Sequence, residues 1–355
     1  MHIESKRNRI YLKILKGPYQ LGSFIHLIGI WNFFSYLLAI RFWSNNPSTV
    51  SRIILIELYA SVLDMSNSNF DPNEFKASQR QSWDSVARGW QKWWKTFENG
   101  AQKVSDRLIE LANIKSGDKV LDVATGIGEP AISAAKVVGK SGHITGTDIS
   151  SEMLAIAAER ARSMGLHEIM DFKQSDAEKL ELGTNQAFNS VICRWGLMFM
   201  PNLDTALSNM VRLLVPGGRL AAAVWSEPSK VPMISVPISI ARQELHVPAP
   251  SQVIPGPFSL ANIDVLRKSL EKAGFSDIKS ETISVIFEFN SAEQYAEFNQ
   301  DIVAPVRIML ANETEQKKQE IWSAVTNQAQ QQFVDKDTGR IKLDNEAICI
   351  VATRN

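Results

Sequence analysis

Cysteine is scarce in this chain of 355 residues, which holds only Cys193 and Cys349, each inside an apolar run. Two such residues make neither a disulfide framework nor a thiolate metal site. They read as buried thiols of a reducing compartment. An excess of either charge is also lacking. Lys plus Arg and Asp plus Glu both number 38, so the formal net charge is zero. A chain with no basic excess has no general electrostatic reason to hold nucleic acid, which leaves only a local basic patch to do so. There is no internal repeat and no low-complexity tract. What remains, 45% hydrophobic and 21% charged residues, is an ordinary globular composition with room for one large domain or two smaller ones.

The N-terminus departs from that texture. Residues 1–16 hold Lys6, Arg7, Arg9, Lys13 and Lys16 against the single acid Glu4. Leu21 to Ile40 then carries no formal charge, and Arg41 closes the run. As a helix at ~1.5 Å per residue it spans about 30 Å, a bilayer core, with its basic flank left in the cytoplasm. Ser23, His26, Asn32 and Ser35 dilute it. Three readings stay open: a membrane anchor through residues 21–40, an extension from a misassigned start with the ordinary beginning at Met65, and an amphipathic docking helix. The expected location is the cytoplasm, with membrane association if the first reading holds.

Past Met65 the chain is patterned. Trp83, Val86, Trp90, Trp93 or Trp94, and Phe97 step by three and four, which predicts an amphipathic helix over 76–98. Such a tryptophan stripe reads first as packing. Lys103–Ala112 predicts a second helix. Strand and helix patterns then alternate: strands at Lys119–Ala124, Gly142–Asp148, Met170–Gln174, Ala187–Arg194 and Arg219–Trp225, with helices at Pro130–Val138, Ser151–Met164 and Leu203–Leu214. This alternation predicts an α/β fold, a doubly wound and mainly parallel sheet with ligands at the carboxyl ends of its strands. Residues 226–258 are proline-rich, a poor helix or strand but a reasonable cover over a pocket. Helices at Leu260–Ala273 and over 291–333, and strands at Ile278–Phe289 and Glu346–Thr353, follow. The expected division is an extension (1–64), a helical cover (65–117), a cofactor-binding core (118–226), and a substrate cover with the final strands (227–355).

Chemistry concentrates at Val120–Pro130, where an apolar strand stops at a turn of small residues and a helix starts at once. Gly126 and Gly128 let backbone approach a ligand, and Pro130 suits a first helical turn. Asp122 closes the first core strand and Asp148 the second. Asp148, 20 residues after Gly128, is placed to accept ribose hydroxyls. Asp176-Ala177 follows the third strand, where the carboxylate can accept from an adenine amine. The turn lacks the third glycine of a dinucleotide fingerprint and the Gly-Lys-Ser/Thr of a P-loop. With Pro130 at the helix start, an adenosine ligand without phosphates fits better than a pyrophosphate.

These residues bring the chain to a family. It resembles the class I S-adenosylmethionine-dependent methyltransferases, most closely the ubiquinone/menaquinone-biosynthesis C-methyltransferase-like branch. The matching segments are Val120–Gly128, Thr147–Ser150 with Met153-Leu154, Ser175–Glu178, Arg194–Phe199 and Leu213–Leu220. Ala124 stands where the family's D-x-G-x-G-x-G pattern has its first glycine, a replacement small enough to leave the turn intact. The resemblance implies a seven-stranded sheet in the order 3-2-1-4-5-7-6, with the final strand antiparallel. It implies S-adenosyl-L-methionine as methyl donor and no metal. The implied donor site comprises Asp122, the loop Ala124, Thr125, Gly126 and Gly128 for the methionine moiety, and Asp148 for the ribose. Ile149 flanks the adenine, Asp176 and Ala177 meet its edge, and Arg194 lies beside the sulfonium or the acceptor.

A sulfonium methyl is already activated, so positioning carries most of the catalysis. A base is needed only if the nucleophile loses a proton. His246 in the proline-rich cover and, similarly, Tyr295 are candidates, whereas His143 and His167 read as structural. Arg194-Trp195-Gly196-Leu197 is not the Asn/Asp-Pro-Pro-aromatic of nucleic-acid amino-methylating enzymes. Two buried cysteines do not supply the thiols of an arsenic methyltransferase. The expected partner is a small or lipid/quinone-like acceptor. The alternatives are a non-catalytic S-adenosylmethionine-binding module, separated by turnover, and a nicotinamide oxidoreductase, separated by cofactor fluorescence. The sequence leaves the oligomeric state open.

Overall fold

The computed structural model describes residues 70–182, 187–248 and 254–355. The run Leu21–Ile40, the start at Met65 and the 1–64 extension lie outside the described residues. No described helix is long and apolar enough to cross a membrane.

Strands β1 (Lys119–Val123), β2 (His143–Asp148), β3 (Met170–Gln174), β4 (Phe188–Arg194) and β5 (Leu214–Trp225) run parallel. β6 (Phe275–Phe289) and β7 (Ile341–Arg354) complete the sheet, and β7 is antiparallel to both of its neighbours. The spatial order is 3-2-1-4-5-7-6, as the resemblance implied. Val120, Leu121 and Val123 of β1 are buried, because a central parallel strand is covered on both faces and therefore reads as a continuous apolar run. After β1 the chain builds outward through β2 and β3. It returns at β4 and builds the other way. The carboxyl ends of β1 and β4 thus diverge, which opens a crevice at the switch point.

The helices are α1 (Pro72–Leu111), α2 (Ala131–Val138), α3 (Ser151–Ser163), α4 (Leu203–Leu213), α5 (Pro232–Glu244), α6 (Ile263–Lys272), α7 (Ala292–Ile302), α8 (Ala304–Leu310) and α9 (Glu315–Gln332). Two of them, α1 and α5, correct the sequence reading. The two helices expected over 76–98 and 103–112 are one helix, α1, of 40 residues, capped where the Asp71 side chain accepts from the Asn73 N–H. Gly100 does not end it. A Cβ there would lie 2.6 Å from the Ile286 carbonyl oxygen and 2.8 Å from the Phe287 ring, so glycine marks the close crossing of α1 over β6.

The proline-rich cover contains a regular helix, α5, despite Pro237 in its interior. Proline removes the N–H that would bond the carbonyl four residues back, here Met233. The Tyr295 hydroxyl donates to that carbonyl at 3.2 Å and satisfies it. Residues 291–333, expected to be helical, form three helices. Pro305 sits at the start of α8, and the Thr314 side chain caps α9. The stripe Tyr295, Phe298, Ile302 and Val306 is buried across the first of these breaks. Cys193 and Cys349 are free and fully buried, and burial pushes both thiols up to about 12.

Candidate functional site

A cavity of about 230 Å³ opens over the carboxyl ends of β1, β2 and β4, roofed by α1. One wall begins at the turn after β1. Ala124 takes φ +58° and Gly126 φ +55°, both in the left-handed region. That conformation suits glycine at 126, whereas an alanine at 124 costs about 1 kcal/mol. Asp122 lies beneath the turn with no exposure. Its Oδ2 accepts from the Thr125 hydroxyl at 2.7 Å and the Ala131 N–H at 3.0 Å, so this carboxylate shapes the turn and starts α2. Burial pushes the Asp122 carboxyl up to about 7, against the Thr125 bond and the Arg194 charge.

Asp148 ends β2 on the cavity wall. Its Oδ2 accepts from the Gly126 N–H at 2.8 Å and its Oδ1 from the Ser150 N–H at 2.9 Å. Burial raises this carboxyl above its ordinary value, although the backbone bonds oppose the rise. Each oxygen keeps a lone pair for a further donor. Ile149 and Ala177 add apolar surface beside it. Asp176 lies past β3, where its Oδ1 accepts from the Glu178 N–H at 2.9 Å and its Oδ2 from Lys76 Nζ at 2.7 Å.

The turn after β4 closes the crevice. A Cβ on Gly196 would meet the Ala124 Cβ at 2.5 Å and the Cys193 sulfur at 2.8 Å, so the turns after β1 and β4 touch because position 196 is glycine. Trp195, at φ +60°, stacks on Trp225 with centroids 4.3 Å apart and planes 13° apart. Arg194 is buried, and its guanidinium grips Glu98 of α1 with two bonds of 2.9 and 2.6 Å and donates to the Ser105 hydroxyl at 2.7 Å. Burial alone would pull the Arg194 guanidinium down. The Glu98 carboxylate outweighs that and raises it.

Of the residues expected at the site, Ala124, Thr125, Gly126, Asp148, Ile149, Asp176, Ala177 and Arg194 line the cavity. Asp122 and Gly128 do not. Asp122 works from below, and Gly128 packs against Ile132 and Ala157. His246 is exposed past the end of α5 and is not among the lining residues, so nothing brings it to the chemistry. Tyr295 is fully buried, bonds the α5 backbone and also does not line the cavity. Burial drives its hydroxyl well above the usual phenol range. His143 pairs with Asp171 at the far end of the sheet.

Sequence reasoning missed the facing wall. The tryptophan stripe read as packing divides in two. Trp93 is core, with its indole N–H donating to Asp301 at 2.7 Å, while Trp83, Trp90, Trp94 and Phe97 face the cavity. Trp83 meets Phe199 edge-on at 5.3 Å. The three- and four-residue spacing was the signal, but it fixes a helix face and not what that face covers. Glu98 and Glu129 also line the cavity, and no local motif marks them. Burial, followed by the nearby Glu98 charge, raises the Glu129 carboxyl. Among the described lining residues, Glu98, Glu129, Asp148, Asp176 and Glu178 stand against Lys76 and Arg194, both already paired, with Arg160 behind the wall 3.8 Å from Glu129. Such a surplus of carboxylate favours a cationic ligand.

Residues 85–245 match the model of the ubiE/COQ5 methyltransferase family. The ubiquinone/menaquinone biosynthesis C-methyltransferase UbiE of Pseudomonas putida F1 is 34% identical over 146 residues, 41% of this chain and 53% of that protein. The protein of the same name in Pseudomonas fluorescens is 33% identical over 153 residues, 43% of this chain and 56% of that one. The chain therefore spans about half the length of the curated relatives it matches. Among solved structures, phosphoethanolamine N-methyltransferase 2 of Haemonchus contortus in complex with S-adenosyl-L-methionine is 20% identical. It aligns with a TM-score of 0.45 over 73% of this chain and 56% of that one. The family resemblance read from the sequence is borne out over residues 85–245.

Proposed function

We propose that this protein is an S-adenosylmethionine-dependent methyltransferase acting on an apolar, aromatic acceptor of quinone-like or lipid-like type. One observation carries the reading. The turn 124–126, Asp148 and Asp176 share one wall of a cavity whose facing wall is made of rings. S-adenosylmethionine supplies an activated methyl, which passes to the acceptor's electron pair while the broken S–C bond leaves its pair on sulfur.

The chain's own part is to bind and align. Asp148 accepts the ribose hydroxyls on the lone pairs that Gly126 and Ser150 leave free. Ile149 and Ala177 flank the adenine, and Asp176 accepts from its amine. The open space at Gly126 admits the methionine moiety against backbone, since nothing lies within 4 Å of where its Cβ would be. The surplus of carboxylate on the walls favours the net positive donor over neutral ligands. Trp83, Phe97, Trp195 and Phe199 seat a flat apolar acceptor and exclude water from the line of transfer. The names of the curated relatives, which refer to ubiquinone and menaquinone biosynthesis, support an aromatic acceptor of this kind.

The test is transfer of a labelled methyl from S-adenosylmethionine into a whole-cell small-molecule extract. Label in an aromatic, organic-soluble product is expected. Donor binding with no labelled product in any fraction would reduce the protein to a binding module and defeat the proposal.

A further inference from the structure

Lys76 lies in the second turn of α1 and lines the cavity, although it is 100 residues before Asp176 and 102 before Glu178. Its ammonium donates to Asp176 Oδ2 at 2.7 Å and to Glu178 Oε2 at 2.8 Å, and its side chain is only 14% exposed. We infer that Lys76 is a positioning residue for the donor's adenine. It holds Asp176 ready to accept the exocyclic amine, and so ties closure of α1 over the cavity to recognition of that base. This inference rests on the donor site described under Proposed function.

Counting lone pairs supports it. A carboxylate has about four acceptor positions. Asp176 uses one on the Glu178 N–H and one on Lys76. Glu178 uses one on Lys76 and one on the Asn202 N–H at 2.7 Å. Asp176 therefore bonds an incoming amine without releasing Lys76. Remove Lys76, and two carboxylates two residues apart face the same pocket with no cation between them. Like charges that close repel, so without the bridge the two side chains part and Asp176 leaves the position from which it accepts the amine. A charge-assisted bond depends on that oxygen being held in place. Burial alone would push the Lys76 ammonium down. The two carboxylates overcome this and raise it, so the bridge stays charged at neutral pH.

The same contact holds the roof. The first half of α1 has a second polar tie, where Asp84 Oδ1 accepts from the Ser150 hydroxyl at 2.6 Å and from the Glu152 N–H at 3.3 Å. That tie sits at the end of β2, beside the ribose position. Lys76 sits at the end of β3, beside the adenine position. The helix is thus fastened at both ends of the nucleoside, and the Lys76 fastening acts through the base-reading acid itself.

The experiment compares S-adenosylhomocysteine with S-inosylhomocysteine, which carries a carbonyl in place of the amine. Calorimetry on the full chain gives Kd for both ligands with wild type, Lys76→Met, Lys76→Arg, Asp176→Asn and the double variant Lys76→Met/Asp176→Asn. In Lys76→Met the preference for the adenosyl ligand is expected to fall about 10-fold, in line with one charge-assisted bond. Lys76→Arg keeps both contacts and restores the preference. In the Asp176→Asn background, Lys76→Met adds little. Equal weakening of both ligands with a lowered melting temperature would make Lys76 a purely structural strap and overturn the inference. Tighter adenosyl binding by Lys76→Met would overturn it too, because Lys76 would then be a competitor for Asp176. Failure of wild type to bind S-adenosylhomocysteine at all would overturn the donor reading, and this inference with it.

Discussion

The wall at the ends of β1, β2 and β3 comes from one stretch of chain, residues 123–178, and is built of backbone turns and carboxylates. The wall facing it comes from α1, the turns after β4 and β5, and residues 302–305, and is built of rings and aliphatic groups. The first wall is local because it is made of main-chain turns and single acids that terminate successive strands. The second is assembled from segments more than 200 residues apart, because an apolar surface asks only for shape and area. Under the proposed function, donor binding is encoded in short motifs, while choice of acceptor is spread over the whole fold.

The ion pair inside the facing wall gives the largest expected effect. Glu98 of α1 and Arg194 of β4 are buried together with two short hydrogen bonds. Glu98→Ala leaves the buried guanidinium with the Ser105 hydroxyl but without its carboxylate, which costs about 3–5 kcal/mol. A drop of roughly 10 °C in melting temperature is expected by scanning calorimetry. An unchanged melting temperature would mean that α1 and β4 hold together without this pair.

The donor wall rests on a buried acid that carries a cost of its own, Asp122 beneath the turn. Asp122 is raised to about 7 in the folded chain, against about 3.9 for an unfolded aspartate. Below pH ~4 both states are protonated and there is no penalty. Between pH ~4 and ~7 the folded state holds the proton while the unfolded state releases it, so stability falls as pH rises. The whole effect is on the order of a few kcal/mol. Asp122→Asn removes it. Urea titrations from pH 5 to 8 are expected to show the variant gaining on wild type as pH rises. A constant difference across that range contradicts the assignment.

Two substitutions separate the walls in binding. Asp148→Ala is expected to weaken S-adenosylhomocysteine by about 100-fold, the loss of two charge-assisted bonds to hydroxyls. Acceptor binding should be untouched. Phe199→Leu, at the edge of Trp83, should raise the KM of the acceptor by a few-fold and leave the donor Kd where it was. If Phe199→Leu moved the donor Kd as much as the acceptor KM, the division into two walls would be wrong.

That division also explains what was legible in the sequence. The alternation of strand and helix and the residues Ala124, Asp148 and Asp176 could be read because each has a local signature: an apolar run, a small-residue turn, or an acid closing a strand, whereas the strand order came from the family resemblance. Asp122 and Gly128 carry the same signature but serve the turn from below, a distinction that spacing does not encode. Glu98, Lys76 and the cavity-facing tryptophans were not legible as site residues. Their partners lie far away in the chain, as with Lys76 and Asp176, and helical spacing marks a buried face equally for core and for cavity. Pro237 misled in the opposite direction, since the hydroxyl that repairs its missing bond comes from Tyr295.

Calorimetric titration of the full chain and of its Asp148→Ala variant with S-adenosylhomocysteine tests the central claim most directly. One site per chain, with its heat abolished in the variant, is the predicted result. Absence of binding by the wild-type chain, or binding that Asp148→Ala leaves unchanged, would contradict the account of the donor wall.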